Sequence, residues 1–173
     1  MTEAQVLVAT HEGILQIRVL GRATFKVSHD LREFALKLFQ EKPADPRKAC
    51  SSIIIDLSAC EGMDSTFMGV MAMIGLERYD TVDLLIVNAN ASHRQLLDSI
   101  GVSLIWTYAK ETVSDVSWES LCEAAVGAVD MSAVSGTVLA AHKALMDLTP
   151  ENVPKFKDVV ELLSAEIENS EHE

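Results

Sequence analysis

Three consecutive isoleucines, Ile53-Ile54-Ile55, running into Asp56-Leu57-Ser58, constrain the fold of this chain more than any other stretch. A β-branched run without helical spacing reads as a buried strand. A short connection containing Gly62 is expected next, and Asp64-Ser65-Thr66 then stands directly before residues 67–74, an apolar run long enough for a buried helix. Asp, Ser and Thr belong at helix starts, because a side-chain oxygen there accepts a backbone N–H that the helix leaves unpaired. The strand–loop–helix unit therefore sets a hydroxyl at the positive end of a helix dipole, where negative charge is tolerated. Two readings of Ser65 follow, a helix cap contributing about 1 kcal/mol or an acceptor of a phosphoryl group. Thr66 is the second-choice acceptor or the cap itself. Asp64 is expected to shape the loop, Asp56 to hold loop amides, and Gly69 to let the helix pack closely on a sheet.

The segments on either side alternate in kind. Residues 6–8 and 14–20 are strand candidates joined at His11-Glu12-Gly13, with Leu15, Ile17 and Val19 as the core-facing set of the second. Residues 28–41 carry Leu31, Phe34, Ala35, Leu38 and Phe39 at helical spacing, with Ser28 as the expected cap and Pro43 and Pro46 beyond the end. Residues 83–88 read as another buried strand. Ser92 is expected to start a short helix over 93–100, closed by Gly101, and residues 104–108 to supply a further strand. Such alternation specifies an α/β fold, a mixed sheet with helices packed on it.

The last third differs in charge. Residues 1–108 hold 10 basic and 13 acidic side chains and residues 109–173 hold 4 and 13, so the later segment carries most of the net charge of −12. That balance argues against nucleic acid and acidic membrane surfaces as partners. Residues 118–129 read as a short helix or an ordered loop. After them Val134, Val138, Ala141, Leu145 and Leu148, then Val153, Phe156, Val160, Leu163 and Ile167, recur at steps of three and four. Two helices with narrow apolar seams are expected, the second starting after Asn152 as cap with Pro154 in its first turn. The division expected is 1–112 for the α/β domain and 113–173 for an acidic helical extension. That hairpin would dock on its own core, or serve as a homodimer or regulator surface.

The central stretch resembles the phosphorylation-site motif of STAS domains, the family that includes bacterial anti-sigma factor antagonists. The similarity lies in Asp56-Leu57 at a strand end, followed by Met63-Asp64-Ser65-Thr66-Phe67-Met68-Gly69, and it extends over roughly residues 5–110. Thr24 occupies a position where members of the family commonly carry an acidic residue. The resemblance implies a non-enzymatic, cytoplasmic binding module. Such a module docks the surface of Thr24, Asp64, Phe67, Met68 and Gly69 onto a serine-kinase-type anti-sigma factor, with Ser65 as the switch. A scaffold whose Ser65 is never modified, and a small-ligand or nucleotide sensor using the same loop, are the alternatives.

Other chemistry finds little support in the residues. The histidines (His11, His29, His93, His142, His172) are scattered, and no GxSxG, Walker loop or GxGxxG occurs. Cys50, Cys60 and Cys122 lack metal-ligand spacing, so reduced thiols are expected, with Cys60 as packing or as a redox-sensitive group. No catalytic residue, metal or cofactor is expected. No basic start precedes an early apolar run, so no signal peptide is expected, and no apolar run reaches the roughly 20 residues of a bilayer span.

Overall fold

The chain begins as a β-hairpin. β1 (Gln5–His11) and β2 (Ile14–Ala23) pair antiparallel from Gln5 opposite Leu20 to His11 opposite Ile14. Glu12 and Gly13 between them have φ of 49° and 82°, and two positive values are what a type I′ turn demands. β3 (Ser52–Met63), β4 (Asp83–Val87) and β5 (Thr107–Ala109) add in parallel beside β2, while β6 (Glu119–Ser120) pairs antiparallel with β1. The sheet order is β5-β4-β3-β2-β1-β6, the mixed arrangement that the sequence pattern implies. This computed structural model describes residues 4–46, 49–110, 116–121 and 130–172. The expected boundary at 112 and 113, most of the 118–129 segment and Cys122 lie outside those residues.

Strand parity decides the core. Val6, Val8, Leu15, Ile17, Val19, Ile53, Ile55, Leu57, Leu84 and Ile86 point to one face. There they meet Val27, Leu31 and Ala35 of α1 (Phe25–Gln40) and Phe67, Val70, Met71 and Ile74 of α2 (Ser65–Arg78). Each fully buried aliphatic or aromatic side chain contributes about 1.5–3 kcal/mol, more than a single cap, so burial selects the fold and caps set where helices begin. The alternate residues Gln16, Arg18, Ile54 and Asp56 emerge on the opposite face, where the Arg18 guanidinium lies 4.3 Å from the centre of the Trp118 ring.

Several expectations need correction. β3 does not stop at Ser58 but continues to Met63, so no loop containing Gly62 precedes α2. α1 starts at Phe25, and Ser28 is a buried internal residue whose hydroxyl donates to the Thr24 carbonyl at 2.7 Å. α3 (Ala91–Ser99) is capped by Asn90 in a reciprocal box with His93, rather than by Ser92. Gly101, at φ 81°, follows as expected. The strand expected at 104–108 shrinks to β5, because residues 102–104 form a 3-10 turn that leaves Leu104 70% exposed. That turn drives Trp106 inward, where its indole N–H donates to the Met71 carbonyl at 2.9 Å.

Above α2 lies a third layer. α4 (Met131–Leu148) and α5 (Val153–Glu171) are joined by a 3-10 turn at Pro150–Asn152 and pack on each other as a hairpin. Asn152 does not cap α5 with its side chain; its amide nitrogen donates to the Ile100 and Leu145 carbonyls at 2.8 and 2.7 Å. α2 is apolar on every side, and a helix of that kind must be covered on every side. The sheet covers one flank and α4 another.

Candidate functional site

The site grows out of strand register. β2 and β3 run parallel and finish together, Ala23 opposite Met63, and each turns into a helix after one residue, Thr24 or Asp64. Two helix N-termini are thereby set side by side. The Asp64 amide donates to the Ala23 carbonyl at 3.0 Å. One oxygen of its carboxylate accepts from the Phe67 amide and the other from the Phe25 amide, both at 2.9 Å. A single side chain thus caps both α1 and α2, and its charge faces the positive ends of two dipoles, each such pairing worth about 0.3–1 kcal/mol. Thr24, the N-cap residue of α1 by position, makes no side-chain cap bond.

Ser65 is the first residue of α2 and is half-buried. Its Oγ lies 2.9 Å from Nε2 of His142, a residue of α4 that is 5% exposed. Nδ1 of the same ring is 2.7 Å from the Val138 carbonyl. A carbonyl only accepts, so Nδ1 carries the hydrogen, and in the neutral ring Nε2 accepts from the Ser65 hydroxyl. Phe156 of α5 meets the imidazole edge-on at 5.4 Å and backs it from outside. Thr66 is buried beside Ser65, Phe67 is fully enclosed in the core and Met68 is nearly so. Those two side chains support the site from beneath instead of forming its surface. Gly69 faces α4 and not the sheet: a Cβ there would come within 2.4 Å of the Ala141 carbonyl oxygen. The aromatic group that does reach solvent here is Phe25, 40% exposed.

Asp56 sits one strand-length away on the other face of the sheet. Its carboxylate accepts from the Ser58 amide, from Asn88 Nδ2 and from Arg18 Nε, each at 2.9 Å. Burial by itself would raise its pKa, but the bonds from Asn88, Ser58 and Arg18 outweigh burial and hold it below the usual carboxylate range. It fastens the middle of β3 to the end of β4 and takes no part at Ser65. Cys60 is buried too. Its thiol, pushed up by burial, donates to the Gly62 carbonyl, which favours the packing role over a reactive one.

What the arrangement can do chemically is limited by access. A hydroxyl donating to an imidazole that a carbonyl holds in one tautomer can lose its proton to that base as it attacks an electrophile. Three clefts lie elsewhere: between α1 and α2 around Arg32, Leu36 and Met73, between α2 and α4 around Leu76 and Lys143, and below α1 around Pro43 and Arg78. Ser65 lines none of these three. Among the described residues no group of three or more His, Cys, Asp or Glu side chains is placed to hold a metal ion. Sequence reasoning finds Ser65 and Asp64 but not His142, Phe25 or the second cap on α1. Those depend on pairings 77 and 39 residues apart.

The STAS domain family model matches residues 5–114. Among solved structures, an anti-sigma factor antagonist from Mycobacterium paratuberculosis is 18% identical with a TM-score of 0.50, over 66% of this chain and 90% of that one. The anti-sigma factor antagonist SpoIIAA in its unphosphorylated form is also 18% identical, with a TM-score of 0.46, over 62% of this chain and 89% of that one. No curated protein is a significant match to the sequence.

Proposed function

This chain belongs to the STAS domain family, and from that premise we propose that it is a regulatory binding module of the anti-sigma factor antagonist kind, switched by phosphorylation of Ser65. The partner is a serine-kinase-type anti-sigma factor, engaged through Thr24, Phe25, Asp64 and the start of α2, and the module performs no catalysis of its own. The observation that carries the reading is the position of Ser65 as first residue of a helix, beside a carboxylate that serves two helix starts. Thr66 is the lesser candidate because it is buried.

A phosphoserine adds about −1.5 to −2 charges at pH 7. The α2 dipole tolerates that charge in water at a gain of about 0.3–1 kcal/mol. A partner covering the helix start has to desolvate it next to Asp64, and each 1.4 kcal/mol of that cost is about tenfold in affinity. Co-expression of the full chain with a serine-kinase-type anti-sigma factor from the same genome, followed by phosphopeptide mass spectrometry, tests the switch. A phosphopeptide at Ser65 that is absent from a Ser65→Ala chain supports it, and an anti-sigma factor that binds Ser65→Asp as tightly as the wild type refutes it.

A scaffold role is the second reading, supported by α5. That helix has no buried residue, and Val153, Val159 and Leu162 are exposed on it, Leu162 by 63%. Association of two copies through the C-terminal helices would cover them. Light scattering of the full chain over a concentration series separates the two readings, since a monomer throughout leaves the scaffold without a basis. Among the described residues no helix is long and apolar enough to cross a membrane.

A further inference from the structure

We propose that α4 is an in-chain competitor for the partner surface, so that a partner or a kinase reaches Ser65 only when the hairpin moves off. This rests on the reading of the Ser65 face as the docking surface, and it assigns a role to the segment beyond the family match.

Three contacts seat α4 there. Thr137, fully buried, is bonded to His29 Nδ1 at 2.7 Å and accepts from Arg32 Nη1 at 3.3 Å, which ties α4 to the first turns of α1. One turn on, the Ala141 backbone rests in the gap that Gly69 leaves in α2. His142 then takes the Ser65 hydroxyl. The helix therefore spans both N-terminal segments that Asp64 joins and uses the one side chain whose modification would signal. A phosphoryl group cannot enter a 2.9 Å contact between Oγ and Nε2 while the Ala141–Gly69 approach stays closed.

The seat is also built to release. Of the six α4 residues that are buried, two are alanines and two are polar, so only Val134 and Leu145 bring large apolar groups and part of the hold is in hydrogen bonds that water can replace. α5 touches the core mainly through its first turn, where Lys155 Nζ donates to the Ser99 carbonyl at 2.8 Å. At the tip of the hairpin, away from Ser65, Asn152 donates one buried bond to the Ile100 carbonyl of the core and one back to Leu145 within α4. Elements held by few large apolar groups open locally without global unfolding. Once α4 leaves, the bared side of α2 around Gly69, Met73 and Leu76 is apolar, so whatever replaces α4 must itself offer an apolar helix or an equivalent surface.

Thiol labelling tests the competition without any kinase. In a full chain with Cys50, Cys60 and Cys122 replaced by alanine, Ser65→Cys is labelled by 5,5′-dithiobis(2-nitrobenzoate). Asn152→Ala, which weakens the tip alone, should speed labelling about tenfold while β3 amides keep their protection from hydrogen exchange. Equal rates with and without Asn152→Ala overturn the proposal. If Asn152→Ala costs β3 its protection, Thr137→Ala is read in the same way, with the same two outcomes. Gated labelling with no phosphopeptide ever found leaves the cover standing and removes the phosphoswitch; ungated labelling with a phosphopeptide does the reverse.

Discussion

The Ser65 hydroxyl and the His142 imidazole, 77 residues apart in sequence, meet at 2.9 Å. The ring is fixed by a backbone carbonyl one helical turn before it and by Phe156 behind it, so the serine is addressed by a base that cannot turn away. A double-mutant cycle should measure this. Ser65→Ala strands a buried ring nitrogen and should cost about 1–2 kcal/mol, with a Ser65–His142 coupling near 1 kcal/mol by urea denaturation. A coupling of zero would mean that the contact does not hold α4 in place.

Asp64→Ala removes the caps of two helices at once. With about 0.5–2 kcal/mol per cap, the loss should be about 1–4 kcal/mol, roughly double that of an ordinary cap. Asp64→Asn keeps an acceptor for one of the two amides and should lose about half as much. Thermal and urea unfolding of the three proteins checks the order.

Gly69→Ala places a methyl group 2.4 Å from the Ala141 carbonyl oxygen and 2.6 Å from its Cβ. Overpacking of this kind costs about 1–3 kcal/mol. Adding Ala141→Gly removes the second clash and not the first, so rescue should be partial. Hydrogen exchange should rise in α4 and stay unchanged in β3, because the sheet does not feel the methyl.

Asp56 gives a pH signature. Its folded pKa lies below the unfolded value, so its contribution is complete above that unfolded value and fades as pH falls through the folded one. Stability should therefore decline below about pH 4. Asp56→Asn should be less stable at pH 7, because Arg18 loses its counter-charge and the new amide faces Asn88, and its acid limb should be flatter. Parallel acid limbs for the two proteins would contradict the assignment.

Much of this architecture is written locally. The isoleucine run, the parity of β2, the cap before α2 and the two apolar seams near the C-terminus each report a nearby environment, and each marks an element that forms. The local pattern misleads where a distant group decides. Ser28 has the residue type of a cap, but the oxygen that serves α1 comes from Asp64, delivered by strand register. Residues 104–106 have the apolar content of a strand, yet the 3-10 turn at 102–104 aims the Trp106 indole at α2 and delays the strand to residue 107. His142 carries no sequence signal, since a lone histidine beside an apolar seam looks the same whether or not a serine waits opposite.

The shared rung at which β2 and β3 end has a mechanical meaning. Ser65 is mounted two residues beyond the last rung of the β2–β3 ladder, so its position is set by the sheet and does not depend on loop geometry. His142 reaches it from a helix that packs on α2 without any sheet bond of its own. Of the two halves of this contact, one is carried by the sheet and the other by the added helical layer, so any separation of the layers is read directly at the Ser65 oxygen.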